Sequence, residues 1–281
     1  MAVLRNPRWL VAFAFLALVF AGCSKDVHYY IEAGNEALRD GDYQQAILDF
    51  EKAVEEYPES YEAHNSLGAA LSAAGNMPRA IEHFSIAVAL NDHFVEGYYN
   101  LGRALAGTGR FDEAITEYQN ALAIDSTYAI AHMGIAEAYV GAEEPQRAVA
   151  AYQRAIKYDP RLLQAYIGLG RVYVAMGEYQ EGIDAFQAAR EMFPNNADLA
   201  FIAGKAAILK GDPGLAVTYL SQAAAMDSLN LFYRNDLASA YMLAGRRLDA
   251  IAEWERILAS RPNPALREVV ETNLDRAAKA D

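Results

Sequence analysis

The 281-residue chain carries 24 basic and 37 acidic residues, a formal net charge of −13, with 53% hydrophobic residues and one cysteine. That acidity argues against a nucleic-acid binder, because a phosphate backbone demands a basic surface, and against adhesion to anionic lipid by charge. A lone cysteine excludes an internal disulfide, so stability rests on packing; scarce proline and no low-complexity linker point to a helical body.

In chain order, the first predicted element is the apolar run Trp9–Ala21, which follows Arg5 and Arg8 and is too short for an ordinary spanning helix. It closes on small residues directly before Cys23. Ala21, Gly22 and Cys23 resemble the lipobox of bacterial lipoproteins, with Phe20 standing where leucine is usual. The resemblance implies a signal peptide over 1–22, cleavage before Cys23, diacylation of its thiol and acylation of the new amine. Three acyl chains at ~0.8 kcal/mol per buried methylene make such an anchor effectively permanent. Ser24 stands where aspartate would indicate inner-membrane retention, so the implied site is the outer membrane facing the periplasm, with the inner membrane as the alternative. Loss of Arg5 and Arg8 leaves 22 bases against 37 acids, net −15. Residues 23–26 are then the lipidated cysteine and a tether of Ser24, Lys25 and Asp26, about 10 Å long at ~3.5 Å per residue. Such a tether predicts a first hairpin close to the membrane and a partner that is itself membrane-associated.

From Val27 the sequence repeats every 34 residues without a gap: 27–60, 61–94, 95–128, 129–162, 163–196, 197–230 and 231–264. The eighth position reads Gly34, Gly68, Gly102, Ala136, Gly170, Gly204, Ala238, and the twentieth reads Ala46, Ala80, Ala114, Ala148, Gly182, Ala216, Ala250. Small residues at both let two helices of a hairpin approach closely. The twenty-fourth position, Phe50 through Tyr118 and Tyr152 to Trp254, is bulky and fills the space between hairpins. The fifteenth is glycine in every unit except at Glu143, where a left-handed turn ends the first helix. Pro78, Pro145 and Pro213 fall near the starts of second helices, while Pro58, Pro160, Pro194 and Pro262 follow their ends. Glu143 and Gly182 depart from the pattern, which predicts irregular fourth and fifth units.

This pattern resembles the tetratricopeptide repeat, a helical hairpin of that period. The resemblance implies an all-α fold: a right-handed superhelical solenoid of seven helix-turn-helix repeats over 27–264. Asn263 then caps one further helix, opened by Pro264 and running through 265–281. Its apolar face, Leu266, Val269, Val270, Leu274 and Ala277, is expected to cover the exposed end of the stack.

In this family the first helices line the concave face, mainly through repeat positions 2, 5, 6, 9, 12 and 13. Transferred to this chain, position 5 supplies Tyr99, Met133, Ile167 and Phe201, with Ile130, Val140, Val174 and Ile208 beside them. An apolar strip of that kind suits an extended segment or amphipathic helix of a partner; the competing reading makes some of these residues core. Position 9 adds Asn35, Arg103, Glu137, Arg171 and Lys205; its three bases suit carboxylates or peptide carbonyls, with internal ion pairs to Glu96, Glu137 or Asp198 as the alternative. Asn35 and Asn100 alone do not rebuild the carboxylate clamp of chaperone-binding relatives, because Ile31, Ser66 and Glu96 occupy its other places. Most of the acidity is expected on turns and outer surfaces.

Nothing in the sequence points to chemistry. No two of His28, His64, His83, His93 and His132 have the i, i+4 spacing of a helical metal site, and no nucleophile motif or phosphate loop is present. His64 and His132 share the fourth repeat position with Tyr98 and Tyr166, which indicates packing. The expectation is a non-enzymatic adaptor or scaffold with no cofactor or metal, binding a protein or peptide, joined to a membrane through Cys23, and not binding nucleic acid. Similar lipid-anchored repeat proteins assist pilus-secretin assembly, insertion of outer-membrane barrels, or control of peptidoglycan hydrolases. Of these the short tether favours the first; a self-associating structural scaffold is the alternative.

Overall fold

The structure, a computed structural model, describes residues 26–279; the signal over 1–22, Cys23 and most of its tether lie outside the described residues. These form fifteen α-helices and no strand, and they divide into two compact units that meet between Thr108 and Gly109 in the sequence. The first unit holds α1 (Val27–Arg39), α2 (Tyr43–Glu56), α3 (Tyr61–Ala73), α4 (Met77–Leu90) and α5 (Val95–Gly107). The second holds α6 (Phe111–Ile124), α7 (Ala129–Gly141), α8 (Pro145–Tyr158), α9 (Leu163–Ala175) and α10 (Tyr179–Met192). It continues through α11 (Ala197–Lys210), α12 (Pro213–Met226), α13 (Leu231–Leu243), α14 (Arg247–Ala259) and α15 (Pro264–Lys279).

Local chemistry sets these boundaries. Side-chain oxygens of Asp42, Ser60 and Asp212 accept from the backbone N–H three residues on, at 3.0, 3.1 and 2.9 Å. Each such cap satisfies an otherwise orphaned donor and contributes about 1 kcal/mol. At the other end of α3, Gly75 N–H donates to Ser72 O at 3.0 Å and Asn76 N–H to Leu71 O at 2.8 Å. That paired closure requires a left-handed residue, and Gly75 takes φ 82°. The fourth unit closes the same way: Glu143 N–H donates to Val140 O at 3.1 Å and Glu144 N–H to Tyr139 O at 2.8 Å. Glu143 therefore adopts φ 61°, a conformation its Cβ disfavours by roughly 1–2 kcal/mol.

The predicted irregularity of the fourth and fifth units does not occur. Helices α7 and α9 have 13 residues and α8 and α10 have 14, matching α3 and α4. Glu143 accepts backbone strain and keeps the turn. Gly182 shortens an approach: a Cβ there would lie 2.8 Å from Val174 Cγ2 and 3.0 Å from Gly170 O.

Packing follows the 34-residue register. A Cβ on Gly68 would lie 2.8 Å from the Phe84 ring, and one on Gly170 would lie 2.3 Å from Phe186. The twenty-fourth-position side chain thus seats on the eighth-position glycine of its own hairpin. Tyr118 and Tyr152 cover the following first helix, where Cβ atoms on Gly134 and Gly168 would come within 2.6 and 2.4 Å. The twenty-fourth position therefore closes its own hairpin at Phe84 and Phe186 and meets the next hairpin at Tyr118 and Tyr152. Ala46, Ala80, Ala114, Ala148, Ala216 and Ala250 are fully buried at the twentieth position.

Helix α15 buries Leu266, Val270 and Ala277 against Trp254, Ile257 and Ala250, with Leu274 partly buried beside them. Asn263 Oδ1 caps it by accepting from Leu266 N–H at 2.9 Å, and Arg247 donates to Ala278 O at 3.0 Å near its end. Val269 is the exception to the predicted face. It is 48% exposed, one step around the helix from Val270.

Candidate functional site

In the second unit, α7 and α9 flank a cleft of about 560 Å³. Ile167, Val172 and Ala175 form its apolar wall on α9, Val140 faces from α7, and Tyr152 of α8 lies at its base. The cleft exists because position 6 of the fifth unit is glycine: the Tyr152 ring lies against Gly168, where any side chain would displace it. Glu137 and Arg171, both at position 9, supply its charges.

The electrostatics follow from crowding. Burial pushes the Tyr152 hydroxyl up to about 12, Glu137 adds to that shift, and Arg171 opposes it. Desolvation raises the Glu137 carboxyl above the usual range, although the residue as a whole retains exposed surface. A carboxylate, a guanidinium and an apolar wall within one cleft match a segment carrying both polar backbone and apolar side chains. No bond-making constellation is present there.

The predicted residues divide. Ile167 and Arg171 come together in this cleft, and Val140, 46% exposed, joins them. Met133 is half-buried and does not line it. The Phe201 ring packs on Tyr233 at 4.9 Å between centroids, and Lys205 lies 5.8 Å above the Phe201 ring while pairing with Asp236 at 2.9 Å. Tyr233 donates its hydroxyl to Asp198. Lys205 and Phe201 are therefore partly committed to the fold. Val174 and Ile208 pack against the core, the competing reading for both. In the first unit, Tyr99 is half-buried, Arg103 and Asn35 are exposed, and Asn100 donates to Asn65 Oδ1 at 3.0 Å.

Repeat position 9 already places Glu137 on the groove face; helical spacing missed Gln164 and Tyr152 as cleft residues, and the histidine pair. His64 Nδ1 and His83 Nδ1 lie 3.0 Å apart, and His64 Nε2 lies 3.1 Å from Pro58 O. A carbonyl only accepts, so His64 Nε2 carries hydrogen, and in the neutral pair His83 Nδ1–H donates to His64 Nδ1. The separation of 19 residues joins repeat position 4 to position 23. Arg234 and Glu253 repeat that pairing as an ion pair of 2.9 Å. Among the described residues no three metal-ligating side chains cluster.

A tetratricopeptide repeat profile matches residues 31–93, 133–174 and 167–230, more than half of the chain. The chain belongs to the tetratricopeptide repeat family. A second TPR repeat profile matches residues 102–141. Among solved structures, MamA is 28% identical with a TM-score of 0.54, covering 59% of this chain and 96% of its own. YrrB, described as a TPR protein with an unusual peptide-binding site, is 23% identical with a TM-score of 0.51 over 66% of this chain and 95% of its own. PilF of Pseudomonas aeruginosa is 19% identical with a TM-score of 0.60 over 76% of this chain and 97% of its own. At their identities the last two show the fold alone. No curated protein matches the chain. Tetratricopeptide repeats are protein-interaction modules that bind protein or peptide partners.

Proposed function

We propose that this protein is a tetratricopeptide adaptor, lipid-anchored at Cys23 to the outer membrane and facing the periplasm, that holds a segment of a partner protein in the cleft between α7 and α9 while an envelope complex of the pilus or secretin type assembles. The observation that carries the binding half is the presence of Glu137 and Arg171 in one cleft with an apolar lining that includes Ile167 and Val140. Ile167 and Arg171 belong to the positions at which the family receives its ligands. The peptide-binding site of YrrB and the fold shared with PilF support the reading by analogy. The membrane half rests on the sequence Ala21-Gly22-Cys23.

A photoreactive side chain at Ile167 should crosslink one envelope protein in cells. Arg171→Glu should reduce capture about tenfold, equivalent to ~1.4 kcal/mol, with the circular dichroism spectrum unchanged. Capture that survives both Arg171→Glu and Ile167→Asp would sink the cleft as the binding site. For the anchor, cells fed tritiated palmitate should label the native protein and not Cys23→Ser; an unlabelled native protein removes the membrane half.

A further inference from the structure

On the opposite side of the fourth hairpin a second cleft, of about 420 Å³, opens between α6, α7 and α8. Its floor is apolar, with Leu122 of α6 and Ile135 of α7, and its rim carries Arg147 and Arg154 of α8. In a chain of net charge −13, α8 holds Arg147, Arg154 and Lys157 and no acid, contrary to the expected acidity of outer surfaces. Arg154 forms no ion pair among the described residues; Arg147 makes an exposed pair with Glu144 at 2.9 Å and lies 5.5 Å above the ring of Tyr139, which also lines the cleft. Exposed pairs of this kind contribute at most about 1 kcal/mol and exchange readily.

The repeat register explains why the cleft is open. Position 4 meets position 23 through a polar contact in His64–His83 and Arg234–Glu253. In the fourth unit position 4 is His132 and position 23 is Ala151, too small and apolar to answer it. His132 is 8% exposed and lines the cleft. Its Nε2 lies 3.2 Å from Ser126 O and must donate there. Among the described residues nothing pairs with its Nδ1. The ring is stacked on Tyr158 at 5.1 Å; burial lowers its pKa, the contact with Ser126 opposes, and Arg154 lowers it further. In the neutral ring Nδ1 is then the acceptor that His132 offers to a cleft rimmed by Arg147 and Arg154.

We propose that this cleft binds an acidic segment of a partner protein, with carboxylates on Arg147 and Arg154 and a backbone N–H donated to His132 Nδ1 between them. The two arginines are seven positions apart on α8, about 10.5 Å at ~1.5 Å per residue. Two acids three apart in an extended segment span about 10 Å. The residues between them place an apolar side chain over Leu122 and Ile135. A phosphate group offers neither a hydrogen for the histidine acceptor nor an apolar group for the floor, so the chemistry favours a peptide over a lipid headgroup. The inference does not depend on the α7–α9 cleft.

The test uses the full chain and a fluorescein-labelled peptide containing Glu-Leu-Leu-Glu, read by anisotropy. Binding should weaken at least tenfold with Arg154→Glu and further with Arg147→Glu, and should weaken as far when the peptide carries Gln-Leu-Leu-Gln. Arg171→Glu, in the other cleft, should leave this affinity unchanged. Both α8 arginines are exposed, so circular dichroism should confirm that the variants fold. Equal affinity for the Glu and Gln peptides, or no loss in Arg154→Glu, overturns the proposal. So does a reversal by Arg154→Glu only of binding to phosphatidylglycerol vesicles or of self-association, which would assign the arginines to a membrane or to a second copy.

Discussion

Glu143 is the residue at which this chain departs from its own rule. The turn it occupies needs a left-handed backbone, which glycine adopts without steric cost. Glu143→Gly should stabilise the protein by about 1 kcal/mol against urea, and an unchanged or lower midpoint would show that its side chain compensates elsewhere. The His64–His83 contact gives a second residue-scale expectation. Burial and the neighbouring His64 lower the His83 pKa, Arg79 lowers it further, and Glu82 and Glu51 oppose. The unfolded chain therefore takes up a proton that folded His83 resists, so stability should be fully present above about pH 6.5 and fall as the pH drops below it. Melting temperature measured across that window should decline on the acid side and decline less in His83→Leu; identical slopes would reject the pair as the source. The contact was hidden from the sequence because 19 residues match no helical spacing, and it becomes visible only when positions 4 and 23 are compared across units.

At the scale of elements, the helices were legible because punctuation repeats at fixed intervals: Asp42, Ser60 and Asp212 cap starts, while Gly75 and its equivalents close ends. Clefts were not legible, since they depend on which units lack a side chain, such as Gly168 beneath Tyr152 or Ala151 opposite His132. Phe201 and Lys205 show the same limit: position alone cannot tell a ligand contact from a bond to Tyr233 or Asp236. Helix α15 covers Trp254 and Ile257, the apolar end of the last hairpin. Deleting residues 264–281 should lower the melting temperature and produce concentration-dependent association by light scattering, because the uncovered surface seeks another lid. A truncated chain that remains monomeric with an unchanged melt would show that α15 contributes no cover.

Across the whole molecule, charge is distributed unevenly. Residues 27–60 hold nine acids against Arg39 and Lys52, whereas residues 129–162 hold four acids and four bases. If Cys23 fixes the front to a bilayer, that first stretch would hold itself off anionic headgroups within the ~8 Å reach of charge at physiological salt. The neutral fourth unit carries clefts on two faces, Glu137 and Arg171 on one and Arg147 and Arg154 on the other. Each cleft could then be occupied without the other being vacated.

The agreement between positions 4 and 23 has a consequence for how such a protein diversifies. A hairpin whose two sites answer each other, as Arg234 answers Glu253, is closed for good. One whose second site shrinks to alanine, as at Ala151, gains a socket without any change to its backbone. Installing arginine and glutamate at 132 and 151 would plug that socket with the lock already used at the far end of the chain. New docking points can therefore arise and vanish one codon at a time, while the frame that carries them stays intact.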